Sequence, residues 1–266
     1  MKLGIDVGNT ETVIGILEDL EVRRFWRIAT EPRRTGDEIA LFLRGLLGAD
    51  PMLRDRLERS VIASVVPGLD RAWDEALAGL GLPSFRVHAG TPLPIRLEVE
   101  EPASVGADRI VNTLAVARLV GRNTVVVDLG TATTFDCITA DGAFVGGVIA
   151  PGPRAGLERL VEVAAQLPAI EIRRPERVVG RRTVACLDSG VFYSIVDGID
   201  GIVRRILAEW SPDDPLVVAT GGLAELVAPH CETVERVEPH LTLLGLACAD
   251  ACRNETPKGE EPTEVE

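Results

Sequence analysis

Aromatic side chains are scarce in this chain, making up 4% of its 266 residues, although hydrophobic residues as a whole account for 46%. The core must therefore be built mainly from Val, Leu, Ile and Ala. Basic residues are also in the minority, and the net charge is −13. Nonspecific nucleic-acid binding requires a basic face. We therefore expect no nucleic-acid partner.

Long hydrophobic runs are absent as well. No uncharged apolar run approaches the ~18 residues of a membrane span, and we expect no membrane partner. The apolar run that follows Lys2 is interrupted by Asp6, so no signal peptide is predicted. The five cysteines are odd in number and scattered. This usage is more typical of a reducing cytoplasm than of a disulfide framework, and we expect a cytoplasmic protein.

A zinc site is an alternative use of the cysteines, because His230, Cys231, His240, Cys248 and Cys252 all lie towards the end of the chain. Their spacing matches no zinc pattern, since a Cys-x-x-Cys pair is missing. Cys248 and Cys252 also lie in an apolar helical stretch, where cysteine is an ordinary core residue. We do not expect a metal there.

One short pattern occurs twice, with Asp128 standing 122 positions after Asp6. Each copy is an apolar run, then Asp-x-Gly, then small polar residues. A chain of this length could form one domain or two of roughly 100–150 residues, and the repeat favours two, residues 1–116 and 117–253. Residues 254–266 contain five Glu and one Lys and lack apolar periodicity. They are predicted to be a disordered acidic tail.

Strand and helix patterns alternate in both halves, which predicts an α/β protein. Thr35 and Glu38 have the spacing of a capping box at the start of a helix. Asp141-Gly142 predicts a hairpin turn, and a further strand is predicted between Gly146-Gly147 and Pro151-Gly152. Residues 183–210 are predicted to form one long helix.

The two Asp-x-Gly turns are candidate phosphate sites. Gly8 and Gly130 would allow backbone N–H groups to point at a phosphate. Asp6 and Asp128 would repel it unless a cation stood between, and hydrated Mg²⁺ suits Asp6. The alternative is two hairpin turns in which Asp and Gly serve the backbone shape alone. Further side-chain donors come from Asn9, Thr10, Thr12, Thr131, Thr133 and Thr134. No Walker A motif is present.

Two other segments could carry chemistry. Asp108 and Arg109 lie at the predicted start of a helix, where anions are favoured. Asp108 could accept a proton late in a phosphoryl transfer, and Arg109 could bind a carboxylate or phosphate with two nitrogens. Both could equally be ordinary helix and surface charges. The glycines 221 and 222, between a strand and a helix, could pack against a nucleoside or simply allow close packing.

Several motifs occur along the chain in a fixed order: Asp6-Val7-Gly8-Asn9-Thr10, Trp26-Arg27-Ile28, Pro32-Arg33-Arg34-Thr35, Asp37-Glu38, Gly106-Ala107-Asp108-Arg109-Ile110-Val111-Asn112, Asp128-Leu129-Gly130-Thr131-Ala132-Thr133-Thr134-Phe135-Asp136, Gly147-Val148-Ile149-Ala150-Pro151-Gly152 and Ala219-Thr220-Gly221-Gly222. With them, the chain closely resembles the type III pantothenate kinases from about Lys2 to Ala251. These belong to the superfamily of acetate and sugar kinases, heat-shock chaperones and actin.

The resemblance implies two similar actin-like (ribonuclease H-like) domains, each a mixed sheet flanked by helices, with the active site in the cleft between them. It implies ATP-dependent phosphorylation of pantothenate to 4'-phosphopantothenate, the first step of coenzyme A biosynthesis. By motif match, Asp108 would be the proton acceptor, in a substrate site of Gly106, Ala107, Asp108 and Arg109. ATP would be bound by Asp6, Val7, Gly8, Asn9, Thr10, Glu11, Thr12, Val13 and Thr131.

The resemblance also implies cations and a partner subunit. Asp128 would bind a monovalent cation (K⁺ or NH₄⁺), beside the Mg²⁺ held through water at Asp6. Thr183 matches a threonine that contacts pantothenate from the neighbouring subunit, which implies an obligate homodimer. The chain departs from the family pattern at several positions. Many members have a Tyr in place of Val99, an Asn usually stands in place of Arg182, and glycines tend to stand in place of Ser194 and Asp197. The Pro153-Arg154 pair is also unusual. A stripe of small residues in the long helix could form a dimer seam: Gly190, Ser194, Gly198 and Gly201.

The sequence is also compatible with two functions of other classes. One is a non-catalytic, nucleotide-binding regulator, against which the presence of Asp108 counts. The other is a phosphatase-like relative that transfers phosphate to water, which the Gly-Ala-Asp-Arg motif disfavours. A pantothenate kinase should gain thermal stability from pantothenate, whereas neither alternative should.

Overall fold

The computed structural model describes residues 1–48 and 51–255. A first, five-stranded sheet has the order β3-β2-β1-β4-β5. Strands β1 to β3 pair antiparallel, whereas β4 and β5 run parallel to β1. The strands are β1 (Lys2–Val7), β2 (Glu11–Glu18), β3 (Glu21–Ala29), β4 (Arg59–Ser64) and β5 (Ser84–Val87), and the helices are α1 (Gly36–Gly48), α2 (Pro51–Asp55) and α3 (Asp70–Ala78).

A second, six-stranded sheet has the order β11-β10-β7-β8-β9-β6. Its strands are β6 (Arg96–Leu97), β7 (Thr124–Leu129), β8 (Ala132–Ile138), β9 (Ala143–Pro151), β10 (Leu216–Thr220) and β11 (Arg236–Val237). The helices of this part of the chain are α4 (Ala107–Leu119), α5 (Pro153–Val163), α6 (Thr183–Trp210), α7 (Ala224–Val227) and α8 (Leu241–Glu255).

The two sheets share one topology. In the first sheet, the antiparallel strands β1 to β3 are followed by β4 and β5, which run parallel to β1. In the second sheet, the antiparallel strands β7 to β9 are followed by β10 and β11, which run parallel to β7, so that β7 to β11 repeat β1 to β5. The α/β fold with two mixed sheets flanked by helices, predicted from the sequence, is confirmed. Where the boundary between two domains falls stays a prediction, and α4 spans the predicted boundary at residue 116.

Local sequence signals account for several of these elements. The Thr35 N–H donates to Glu38 Oε2 at 2.8 Å, and the Glu38 N–H donates to Thr35 Oγ1 at 3.3 Å. The predicted capping box is therefore confirmed at the start of α1. Helix α6 covers residues 183–210, as the apolar pattern predicts. Asp141-Gly142 forms the β8–β9 hairpin turn, with Gly142 at a φ of +84°.

The prediction of a separate strand after Gly146-Gly147 is wrong, because β9 runs unbroken from Ala143 to Pro151. Gly146 has a φ of +132°, and the pairing of β8 with β9 shifts between Cys137 and Ile138. The glycine therefore forms a β-bulge inside one strand instead of a break between two.

Helices α4 and α8 pack against each other and cover the face of the first sheet that carries Leu17, Val61 and Ala63. A Cβ on Gly245 would collide with the carbonyl group of Val111, its carbon only 2.6 Å away. A glycine at this position of α8 thus permits the close approach to α4.

The other face of the first sheet is covered by α1 and α3, and the second sheet packs on α6 and α7. Within residues 1–48 and 51–255, no helix combines the length and the apolar character that crossing a membrane requires. Apart from Asn254 and Glu255, which complete α8, the predicted acidic tail lies outside the described residues.

Candidate active site

A cavity of about 340 Å³ lies where the turns of the two sheets face each other. Its wall is formed by residues from both halves of the chain, among them the three carboxylates Asp6, Asp108 and Asp128. A larger cavity, of about 750 Å³, adjoins it beside α5 and shares Arg154, Glu158 and Leu223 with it. The predicted site residues that line the smaller cavity are Asp6, Gly8, Asn9, Thr10, Glu11, Val13, Asp108, Asp128 and Thr131.

The two Asp-x-Gly turns are tight hairpins that touch each other. The Gly8 N–H donates to the Glu11 carbonyl and the Gly130 N–H to the Ala132 carbonyl, both at 3.1 Å. These two N–H groups therefore close the hairpins and do not point at a ligand. Across the cleft, Thr131 Oγ1 donates to Thr10 Oγ1 at 2.8 Å. Two exposed hydroxyls, one from each half, thus lie side by side at the point where the turns meet.

Other predicted site residues do not line this cavity. Val7 is fully buried, and Thr12 is buried with its hydroxyl 2.8 Å from that of Thr30. Neither they nor Gly106, Ala107 and Arg109 line the wall. Their roles stay predictions.

The three carboxylates of the wall share a poorly solvated region. Burial raises the pKa of Asp128 to about 7, and the charge of Asp108 adds to this effect. Burial, followed by the charges of Asp108 and Asp128, raises the pKa of Asp6 well above its usual range. Burial also raises the pKa of Asp108, which the N–H of Arg109 partly offsets. The arrangement favours a cation or a proton among these groups.

Asp128 is positioned by two neighbours. The amide of the buried Asn112, on α4, interacts with the carboxylate and lowers its pKa. Gly221 has a φ of +91°, and a Cβ there would collide with Asp128 Oδ1 and lie 2.7 Å from the Leu129 nitrogen. No role is predicted for Asn112 from the sequence. Its spacing of four residues from Asp108 places both on one face of α4 and could have indicated it.

Arg109 is held by a residue that sequence analysis missed. Its Nε lies 2.7 Å and its Nη2 2.6 Å from Oδ1 of Asp136, which has no exposed surface. Burial raises the pKa of Asp136 to about 6, although Arg109 opposes this. Asp136 lies two residues after Thr134, which lines the cavity. The two-residue period of a strand could therefore have indicated that it faces the same side of the sheet.

Three charged side chains cross the mouth of the cavity. Glu11 lies 3.4 Å from Nη1 of Arg27, on β3, and 3.2 Å from Nη1 of Arg154, on α5. The three are partly or largely exposed, so these pairs contribute little to stability. They nevertheless link the first half of the chain to the second, and they bring two guanidinium groups to the cavity that the Asp-x-Gly turns line.

Thr183 begins α6 and does not line the cleft of its own chain. It lies instead in a shallow, mostly apolar groove of about 310 Å³ between α5 and α6. The side chains of the groove include Leu160, Leu167, Leu187 and Val191.

Within the described residues, no three carboxylate, thiol or imidazole groups converge as a metal site.

Comparison with known proteins identifies the family. The sequence model of the family described as Type III pantothenate kinase matches residues 2–205. The chain belongs to this family. It is 41% identical to the type III pantothenate kinase of Streptomyces coelicolor, over 92% of this chain and 96% of that protein. It is 44% identical to that of Syntrophotalea carbinolica, over 92% and 96% of the two chains.

Solved structures of lower sequence identity share the fold. A ROK family glucokinase from Streptomyces griseus, in complex with glucose and AMPPNP, has a TM-score of 0.54 at 13% identity and covers 95% of this chain and 99% of its own. The activator of 2-hydroxyisocaproyl-CoA dehydratase from Clostridium difficile, with bound ADPNP, has a TM-score of 0.52 at 13% identity and covers 98% and 99%. Membership of the actin-like kinase fold is thereby confirmed.

Proposed function

We propose that the chain transfers the γ-phosphoryl group of ATP to the primary hydroxyl of pantothenate, forming 4'-phosphopantothenate, the first step of coenzyme A biosynthesis. Membership of the family supports the reaction. The observation that carries the proposal is that Asp108 lines the same cavity as the two facing turns.

Asp108 would be the proton acceptor. It stands in the first turn of α4, and its Oδ1 accepts a hydrogen bond of 2.8 Å from the Arg109 N–H. A Cβ on Gly106 would lie 2.5 Å from this oxygen, so glycine leaves the carboxylate free to turn back over the helix end. A base with a raised pKa suits a transfer in which the hydroxyl proton leaves late. Gly106, Ala107 and Arg109 would line the pantothenate site around it.

The triphosphate of ATP would bind over the two turns, along the segment from Asp6 to Val13 and at Thr131. The side chains of Asn9, Thr10 and Thr131 line the cavity and can donate hydrogen bonds to phosphate oxygens. Arg27 and Arg154 add positive charge at the mouth of the cavity.

The carboxylates fit the cations that such a reaction uses, because oxygen donors with raised pKa values and mutual repulsion are stabilised by a bound cation. Asp6 would hold Mg²⁺ through water, and Asp128 would hold K⁺ or NH₄⁺. When bound, these ions offset the charge on the phosphates and in the transition state.

Pantothenate binding would be completed by a second copy of the chain. Thr183 lies outside the cleft of its own chain, at the end of an apolar groove, and nearby Val179 is 80% exposed. We therefore propose a homodimer in which Thr183 reaches the partner's cleft. Mixing the inactive Asp108→Asn and Thr183→Ala proteins should restore activity. In a mixed dimer, the cleft of the Thr183→Ala subunit keeps its Asp108 and receives an unchanged Thr183 from the other subunit, so that one site is intact. No recovery after subunit exchange would contradict this arrangement.

The reaction itself is tested by an assay of ADP release with pantothenate, MgATP and KCl. The intact protein should turn over only when pantothenate is present. Asp108→Asn should lower kcat by about 10²–10⁴-fold, as is typical when an acid–base group is lost. The absence of pantothenate-dependent ADP release from the intact, folded protein would contradict the proposed function.

A further inference from the structure

Asp136 binds Arg109 in an unusual way. Both Nε and Nη2 of Arg109 lie on the same oxygen, Oδ1, at 2.7 and 2.6 Å. Among the described residues, Oδ2 of Asp136 has no hydrogen-bond partner although it is buried. No described residue accepts a hydrogen bond from Arg109 Nη1 either. The pair thus anchors one edge of the guanidinium group and leaves Nη1 available.

The surrounding strand is adapted to this arrangement. Gly147, on β9, stands directly opposite Asp136, on β8. A Cβ there would lie 2.9 Å from Arg109 Nη2 and would also collide with the Phe135 carbonyl. The ring of Phe144, on the same strand, lies 4.9 Å from the guanidinium carbon. The absence of a side chain at Gly147 therefore leaves the space in which Arg109 reaches Asp136, and the ring of Phe144 packs beside the guanidinium group.

Stability alone is a weak explanation for this pair. A buried ion pair with an unsatisfied oxygen is costly, and an apolar replacement of similar size is often no less stable. The pair instead fixes the side chain of Arg109, which follows Asp108 in the chain. The backbone N–H of Arg109 also donates to Asp108 Oδ1 at 2.8 Å. Asp136 thereby links β8 to the first turn of α4, where phosphoryl transfer is proposed to occur.

We propose that Asp136 is a positioning residue for the phosphoryl acceptor: it holds Arg109 so that the free edge of the guanidinium group binds the carboxylate of pantothenate. The inference rests on the proposed function, because the acceptor must carry a carboxylate. Pantothenate has this group at the opposite end from its reacting hydroxyl. Binding there would orient the hydroxyl towards Asp108, as two-point binding of a substrate does.

The test compares the intact enzyme with Asp136→Asn, which keeps the side-chain shape but removes the charge that holds Arg109. We expect KM for pantothenate to rise by about 10- to 100-fold, the worth of one hydrogen bond to a charged group. KM for ATP should stay within about twofold, because Arg109 does not line the cavity between the phosphate turns. Asp136→Glu should recover part of the loss.

Two further variants separate positioning from structure. Asp200→Asn alters another buried carboxylate, which accepts hydrogen bonds from Thr233 and Glu232, and should leave both KM values unchanged. Arg109→Lys keeps the charge but not the planar group, and it should show the same pantothenate-specific defect as Asp136→Asn. It also provides the test if Asp136→Asn does not fold. In the double variant, the two effects should not add.

Panthenol, in which CH₂OH replaces the carboxylate, serves as a neutral competitor. Its inhibition constant should be the same for the intact enzyme and Asp136→Asn. Equal weakening of panthenol and pantothenate, or equal rises in KM for pantothenate and ATP, would overturn the positioning role while leaving the kinase function intact. If the intact enzyme does not phosphorylate pantothenate, the proposed function fails and this inference fails with it.

Discussion

Gly221→Ala is the substitution for which the structure makes the sharpest prediction. Gly221 has a φ of +91°, which L-residues other than glycine rarely adopt. The added Cβ would also lie 2.7 Å from the nitrogen and 2.8 Å from the carbonyl carbon of Leu129, and closer still to Asp128 Oδ1. Backbone atoms of a central strand cannot move aside as the end of a flexible side chain can.

The expected loss of stability has two parts. A positive φ costs an alanine about 1–2 kcal/mol, and overpacking costs about 1–3 kcal/mol more. Alanine also lowers the conformational entropy of the unfolded chain, which offsets about 0.4–1 kcal/mol of this loss. The free energy of unfolding should therefore fall by about 1–4.5 kcal/mol. At about 2–4 °C per kcal/mol for a chain of this size, Tm should fall by roughly 2–18 °C.

Urea and thermal unfolding of the intact protein and the variant would measure this loss. Gly45→Ala is the matched control, because Gly45 is exposed in α1 and its Cβ would meet nothing within 4 Å. It should raise stability by about 0.5–1 kcal/mol. The reasoning would be refuted if Gly221→Ala unfolded within about 0.5 kcal/mol of the intact protein, a shift expected of an ordinary surface substitution.

Three further predictions concern pH, capping and the facing turns. Burial raises the pKa of Asp136 to about 6 from an ordinary 3.8. Between pH 3.8 and pH 6, the folded chain therefore retains a proton on this carboxyl group that the unfolded chain has already lost. This stabilising contribution is complete below about pH 4 and is lost as pH rises through about 6, by roughly 3 kcal/mol. Urea unfolding at successive pH values should show the decline, to which the raised pKa of Asp128 also contributes, and Asp136→Asn should make the decline smaller by about this amount. Thr35→Ala should lower the free energy of unfolding by about 1 kcal/mol through loss of the N-cap of α1, whereas an equal loss for Thr35→Ser in thermal melts would contradict the capping role. The hydroxyls of Thr10 and Thr131 are exposed and 2.8 Å apart, so Thr10→Val and Thr131→Val should each leave Tm nearly unchanged and raise KM for ATP by about 10-fold; an unchanged KM for ATP would remove them from the phosphate site.

Much of the site depends on contacts that no local pattern reveals. Asp136 is 27 residues from Arg109, and Glu11 is 143 residues from Arg154. Such pairs form only once the strand register and the packing of the two halves are established. The same is true of the raised pKa values, because burial and neighbouring charges are properties of the folded cleft. The groove position of Thr183 likewise follows from how α6 packs on α5.

The sequence by itself determined the elements whose signals lie within a few residues, together with the family and its reaction. The capping box of α1, the extent of α6 and the duplicated Asp-x-Gly hairpins follow from hydrogen bonds and periodicities between near neighbours. Only the tertiary structure decided that β9 passes unbroken through a bulge, that the glycine N–H groups close their own hairpins, and that Asp136 holds Arg109. These outcomes depend on which strand lies opposite which, and so on long-range packing.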